Sequence, residues 1–235
     1  MGKLWLIRHA ETYYNEACRE WIRLGRPGNK NFQFEERFMD STLTDLGIQQ
    51  SQEMIPQVHS LDVQIVFVSP LRRALQTCDI IFKDHPNHPS VIVHPILHER
   101  FHNAHDVSVY EGSPFPEYSH FDWSLMNSNP HFHASICDNE YIKQIVGLSY
   151  QETRVKLLEM MSSIDPDFLE NEEQLFRRGN KSKIIWREYC RTQNVALVSH
   201  SGFIRYFSGR LDNSGNIIQG TQLNNCEILD YQDDL

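Results

Sequence analysis

Short apolar runs rich in β-branched and aromatic residues recur at Lys3–Ile7 (KLWLI), Gln64–Val68 (QIVFV), Val91–His94 (VIVH) and Asn194–Val198 (NVALV), each stopping where polar residues begin. Runs of this length predict strands buried on both faces. Longer mixed stretches between them predict helices. Thr44–Ile55 opens with an N-cap, and Pro70–Phe82 carries proline in its first turn, where a missing N–H costs little. Tyr150–Ile164 follows Ser149 and Glu152 at capping-box spacing, and Glu172–Arg191 forms a helix weakened in its middle by Gly179. A late apolar ILDY after Asn224–Glu227 predicts an edge strand. Strands alternating with helices imply right-handed βαβ units. The expected fold is therefore α/β: a doubly wound, mostly parallel sheet between two helical layers, a three-layer α/β/α sandwich. Residues 100–149 break the alternation and cluster Phe115, Tyr118, Phe121 and Trp123, which predicts a cap or insertion, either a packed excursion or a lid that selects substrate.

At 235 residues, one domain spanning 1–235 is expected. A formal charge of −9 argues against a nucleic-acid or anionic-membrane partner, which would require a basic face. Leu4–Ile7 is closed at once by Arg8, His9 and Glu11, too short for a signal peptide or membrane span, and MGKLWL lacks the hydroxyl residue of a myristoylation signal. Cys18, Cys78, Cys137, Cys190 and Cys226 are scattered without a CxxC pair, so neither a disulfide framework nor a thiolate metal site is indicated and a cytoplasmic location is expected.

Polar clusters follow three of the strands directly: Arg8-His9, Ser69-Pro70-Leu71-Arg72-Arg73 and Ser199-His200-Ser201-Gly202. In a parallel sheet all three meet beyond the carboxyl ends of the strands, where ligands bind. A neutral imidazole is a competent nucleophile toward phosphorus, and an arginine fork matches phosphoryl oxygens bidentately. Each cluster alone also fits a capping histidine or solvated arginines. Two arginines in a first helical turn are unfavourable unless an anion offsets them.

Taken together these segments resemble the histidine phosphatase superfamily, in its phosphoglycerate mutase-like branch. Its RHGE motif is similar to Arg8–Glu11, its LTxxG to Leu43–Gly47, its SxLxRAxxT to Ser69–Thr77, its late SHGG to Ser199–Gly202, and its catalytic glutamate to Glu99. Ala10 and Ser201 stand where the family usually has glycine, and Arg100-Phe101-His102-Asn103-Ala104-His105 replaces the mutases' YGxLxGL-like segment, which favours phosphatase over mutase. The resemblance implies a metal-independent phosphatase with no cofactor. His9 would attack phosphorus, Arg8, Arg73 and a protonated His200 would hold the equatorial oxygens, and Glu99 would serve as general acid and base. Asn15 and the Ser201 N–H are candidate extra donors, and Arg100 a candidate contact for a second anionic group. The partner implied is a small phosphorylated substrate; neither its identity nor the oligomeric state is legible.

His98-Glu99-Arg100-Phe101-His102 also spells HExxH, the zinc-protease pattern. A zinc hydrolase would need 98–102 to be helical with a third ligand downstream, whereas the strand-like VIVH and Pro95 before it favour a loop. A non-catalytic phospholigand-binding protein is the remaining alternative.

Overall fold

Alternate residues of the central strands face opposite helical layers, and this alternation fixes the architecture. A computed structural model describes residues 2–27, 31–127, 132, 143–163 and 170–232. Strand β1 (Leu4–Arg8) leads into helix α1 (Tyr13–Arg23); α2 (Asp45–His59) precedes β2 (Ile65–Val68), and α3 (Arg72–Phe82) precedes β3 (Ser90–Val93). After a short α4 (Ser124–Asn127) come α5 (Tyr150–Ser163), α6 (Glu172–Cys190), β4 (Val195–Ser199) and α7 (Ser201–Phe207). A small hairpin of β5 (Arg210–Leu211) and β6 (Ile217–Ile218) precedes β7 (Ile228–Tyr231). The main sheet runs β3-β2-β4-β1-β7, parallel except for β7 at its edge.

Trp5, Ile7, Val66, Val68, Ala196 and Val198 pack on one face against Met54 and Val58 of α2 and Leu75 and Cys78 of α3. Leu4, Leu6, Ile65, Phe67, Val195 and Leu197 pack on the other against Leu175 and Trp186 of α6 and Phe203 and Phe207 of α7. Period-two alternation with both faces apolar is what a sheet between two helical layers requires. The expected α/β/α sandwich is therefore present.

Two departures from the sequence-based elements have local causes. Helix α2 continues past Ile55 through Pro56 to His59, because Val58 is buried in the core and its packing outweighs the bond that proline removes. Helix α1 was not expected, since only Tyr14 on it is buried; a reciprocal capping box between Thr12 and Asn15 starts it. Helix α6 runs unbroken through Gly179. Residue 164, the expected end of α5, lies outside the described residues, as do 128–131 and 133–142 of the expected cap. Among the described residues no helix is long and apolar enough to cross a membrane, and Cys18, Cys78, Cys190 and Cys226 are free thiols.

The exit of β1 is tied to the start of α2. Glu11 is buried; its carboxylate accepts from Thr44 Oγ1 at 3.0 Å and pairs with Arg19, and its carbonyl accepts from the Thr44 N–H at 3.1 Å. Thr44 in turn caps the helix through the Gly47 N–H at 3.0 Å. A Cβ at Gly47 would lie 2.1 Å from the Glu11 carbonyl oxygen, so only glycine allows this approach. Gly47→Ala is therefore expected to lower unfolding free energy by about 2 kcal/mol, as overpacking against backbone does. Chemical denaturation of the two proteins measures this; equal stability would show that the junction can relax.

Candidate active site

The three strand-terminal clusters do meet. His9 leaves β1 with its main chain held to β4 by a bond from its N–H to the Ser199 carbonyl at 3.0 Å. Its neighbour Ala10 donates to Thr77 Oγ1 on α3 at 3.0 Å, and Thr77 donates back to the Arg73 carbonyl at 2.8 Å. The histidine turn is thus fastened to two elements distant in sequence. Ring atom Nδ1 of His9 lies 2.7 Å from the Ala10 carbonyl. A carbonyl only accepts, so Nδ1 carries the proton and Nε2 keeps its lone pair in the neutral ring. Burial, then the charges of Arg73 and Arg8, push the His9 pKa well below the ordinary imidazole value.

The His200 ring stands 5.1 Å from that of His9, tilted by 57°. Arg73 Nε, which only donates, points at His200 Nδ1 at 3.2 Å, so His200 Nε2 holds the proton and meets Ser69 Oγ at 2.7 Å. Burial and the Arg73 charge lower the His200 pKa far below its usual range. The imidazolium expected from the resemblance does not match these contacts: His200 is a fully buried ring whose Nδ1 accepts a hydrogen bond.

Arg73 has no solvent exposure. Its Nη1 donates to the His105 carbonyl at 2.5 Å and its Nη2 to Asp106 Oδ1 at 3.0 Å, a pair buried on both sides. Although burial opposes it, the charges of His105, His102 and Arg73 hold the Asp106 carboxyl far below the usual carboxylate range. Sequence reasoning missed Asp106; Asn103 and Asp106 at capping-box spacing were the available signal. Arg72, by contrast, is half-buried and leaves the cluster, and the anion demanded by two arginines in the first turn is Asp40, whose Oδ1 accepts the Arg72 N–H at 2.8 Å.

Arg8 donates through Nη1 to the Leu223 carbonyl at 2.8 Å, while its buried Nε has no hydrogen-bond partner among the described residues. Burial lowers its pKa, Glu99 raises it and Arg73 lowers it again, which places all three charges in one field. Glu99 is buried against the start of α7: Oε2 accepts from the Gly202 N–H at 3.0 Å, and Oε1 from those of Phe203 at 2.9 Å and Arg100 at 2.7 Å. Helix N-terminal N–H groups suit an anion, and a Cβ at Gly202 would lie 2.4 Å from Glu99 Oε1, so a larger residue there would displace the carboxylate.

The weaker candidates divide. Among the described residues the Ser201 N–H, next along the same helix start, has no partner. Asn15 Oδ1 accepts from Thr12 within the α1 cap and from Asn225 Nδ2 at 3.4 Å, and that amide also donates to the His9 carbonyl at 3.0 Å. Asn15 is thus one residue removed from the His9 turn. Arg100 turns away, its Nε on the Glu170 carbonyl at 2.9 Å. The HExxH stretch is not helical: His98 follows a single 3-10 turn, Pro95–Leu97, so the two histidines share no helical face. His98 Nδ1 donates to the Glu99 carbonyl at 2.8 Å, and burial lowers its pKa to about 4, while His102 Nδ1 lies 3.0 Å from the Arg100 carbonyl and 3.4 Å from Asp106. Among the described residues no three His, Cys, Asp or Glu side chains are grouped to hold a metal.

Over 113 residues, 47% of this chain but 37% of the relative, the chain is 33% identical to fructose-2,6-bisphosphatase TIGAR B of Danio rerio. The chain thus spans little more than a third of that relative. It is 25% identical to phosphoglycerate mutase-like protein 1 of Arabidopsis thaliana over 218 residues, 89% of this chain and 72% of the relative. The crystal structure of phosphoglycerate mutase from Bacillus anthracis superposes with a TM-score of 0.53 at 17% identity, covering 99% of this chain and 88% of that one, and shares the fold. Residues 4–131 match the model of the histidine phosphatase superfamily (branch 1), a span that includes β1, α2, α3 and Glu99, and the chain belongs to that family.

Proposed function

We propose that the protein is a phosphatase that hydrolyses a small phosphate monoester through a phosphohistidine on His9. The reading rests on one observation above all. A neutral imidazole with its lone pair at Nε2 sits beside Arg8, whose buried Nε donor lacks a partner among the described residues. An unsatisfied buried donor on a charged group is costly, and an oxyanion is an acceptor that would satisfy it. Arg73, already held by His200, supplies the second guanidinium. Positive charge from these two arginines serves the equatorial oxygens without a bound metal or cofactor. The names of the fish and plant relatives support a small phosphorylated metabolite as substrate, and the free cysteines agree with a cytoplasmic setting.

In the first step the Nε2 lone pair forms the N–P bond as the ester P–O bond breaks. The electron pair leaves on the alkoxide, which takes a proton from Glu99; Glu99 enters this step as the carboxylic acid, protonated from solvent as the phosphoryl dianion binds beside it. In the second step water attacks phosphorus and loses its proton to the Glu99 carboxylate, the N–P bond breaks, and the pair returns to Nε2. His200, accepting from Arg73 Nε at Nδ1 and donating to Ser69 through Nε2, stays neutral and orients Arg73. The Ser201 N–H and Asn15 are the additional donors for the phosphoryl group.

His9→Ala is expected to reduce turnover of an aryl phosphate by at least about a thousandfold, whereas EDTA leaves the parent protein unaffected. Rapid acid-free quenching with radiolabelled substrate is expected to trap an alkali-stable, acid-labile phosphoprotein. Undiminished turnover by the histidine variant would overturn the reading.

The pH dependence has a definite sign. Because its pKa is depressed, His9 stays neutral as pH falls through the usual imidazole range. Phosphoenzyme formation from p-nitrophenyl phosphate, whose phenolate leaves with little help from Glu99, is therefore expected, once corrected for ionisation of the substrate, to stay level from pH 7 down to about 5.5. A decline centred near pH 6.5, the ordinary histidine value, would show that the ring is solvated and unperturbed.

A further inference from the structure

Glu99 lies in a segment that no strand or helix holds: the chain leaves β3, makes the 3-10 turn Pro95–Leu97 and continues without regular structure through Phe101. Its carboxylate is held by the N–H groups of α7, but its main chain needs other partners. They come from Arg178, on α6. Nη1 donates to the carbonyls of Ile96 at 2.8 Å and His98 at 2.7 Å, and Nη2 to that of Glu99 itself at 3.2 Å. Nε and Nη2 grip the two carboxylate oxygens of Glu170, each at 2.8 Å. Glu170 Oε2 also receives the Phe101 N–H at 3.1 Å, and its main-chain carbonyl receives Arg100 Nε at 2.9 Å. The pair therefore grasps the chain on both sides of residue 99.

The same guanidinium stacks over the Phe203 ring, 5.3 Å from its centre, and the Phe203 N–H is one of the donors to the Glu99 carboxylate. Arg178 thus contacts both the backbone that carries Glu99 and the residue that receives its side chain. Side-chain exposures of 4% for Arg178 and 1% for Glu170 make this a desolvated pair. Buried ion pairs are poor sources of stability compared with apolar packing, and their best use is fixing one geometry. A planar fork with five N–H groups in fixed directions can hold three carbonyls and a carboxylate together; an ammonium cannot.

We infer that Arg178, oriented by Glu170, is the positioning residue for Glu99. The inference rests on Glu99 being the proton donor and acceptor of the proposed reaction. It separates from a purely structural role through the leaving group. An alkyl phosphate needs a proton on its departing oxygen, whereas p-nitrophenyl phosphate, with a stable phenolate, needs one far less. Misplacing Glu99 should therefore harm phosphoenzyme formation from the alkyl ester selectively.

The experiment compares Arg178→Lys, Glu170→Gln and Glu99→Gln with the parent protein in single-turnover phosphorylation by both esters. Phosphorylation by the alkyl ester is expected to slow about a hundredfold in Arg178→Lys, against less than about tenfold for p-nitrophenyl phosphate, in line with the loss of one general acid. KM is expected to stay within about threefold, since the phosphate contacts are untouched. Glu170→Gln should repeat the pattern more weakly, and is the variant read if the lysine protein does not fold. Equal loss on both esters, full activity in both variants, or failure of both to fold would overturn the inference. If Glu99→Gln itself lacks ester selectivity, the role of Glu99 fails; if Glu99→Gln is selective and the pair variants are not, the role of Arg178 alone fails.

Discussion

A guanidinium removed from water must have its charge met and its donors directed, and Arg73 imposes that demand on the whole site. Its burial is complete, and stripping such an ion of water costs several kcal/mol before any partner is counted. Three partners answer it: His200 Nδ1, the His105 carbonyl and the Asp106 carboxylate. Each comes from a different part of the chain from α3, so the charge can be buried only after the sheet and the 100–110 segment have assembled around it. Placing Arg73 also determines His200, because a donor on Nδ1 forces the proton to Nε2 and toward Ser69. The charges of Arg73 and Arg8 then help keep His9 neutral, the state in which a ring nitrogen can form a bond to phosphorus. One buried cation thereby links tautomer, ring orientation and nucleophilicity.

Much of what makes the motifs recognisable is fastening rather than chemistry. Glu11, Thr44 and Gly47 join the exit of β1 to α2; Thr77 joins Ala10 to α3; Ser199 donates through Oγ to the Leu97 carbonyl at 2.7 Å, drawing the segment before Glu99 toward β4. These bonds lie at the carboxyl ends of parallel strands, where the backbone stops pairing with its neighbours and needs new partners. Side chains that satisfy it there also fix the His9 turn and the segment before Glu99. A charge balance accompanies the geometry, since Arg8 and Arg73 face Glu99 and Asp106. The two carboxylates thus offset the two guanidiniums, which keeps the cations tolerable at close range.

The central strands were legible because both of their faces are buried, which leaves an uninterrupted apolar run in the sequence. Helix α1 was not, since nearly all of its surface is wet and its only mark is the Thr12–Asn15 cap. The same physics separates the candidate site residues. Arg8 ends β1, His9 and His200 follow β1 and β4 directly, and Arg73 lies in the first turn of α3 just beyond β2, so the parallel sheet brings them to one edge. Arg178 sits beside Arg177 in a polar helix, and nothing local distinguishes them: Arg177 is exposed and pairs with Glu173, whereas Arg178 is buried on Glu170. That difference comes from which face α6 turns to the segment after β3, a tertiary fact. Asp106 was hidden for a related reason, because an acidic residue in an irregular stretch reads as solvated until a buried cation is found opposite it.

HExxH shows why spacing carries information only together with backbone conformation. Histidines four apart converge on a metal when the chain between them is helical, since the 3.6-residue repeat puts them on one face. Here Pro95 starts a 3-10 turn that ends at Leu97, and His98 adopts an extended conformation with ψ of 150°. The next residues therefore diverge: the His98 ring tilts against Phe101 and Phe132, Glu99 turns to the start of α7, and His102 turns to Asp106. The glutamate central to the zinc pattern becomes a carboxylate held by backbone N–H groups, and the histidines beside it become supports for the loop and for the Arg73 counter-charge. The same five letters can build either site, and it is the extended backbone after a parallel strand that decides which one forms.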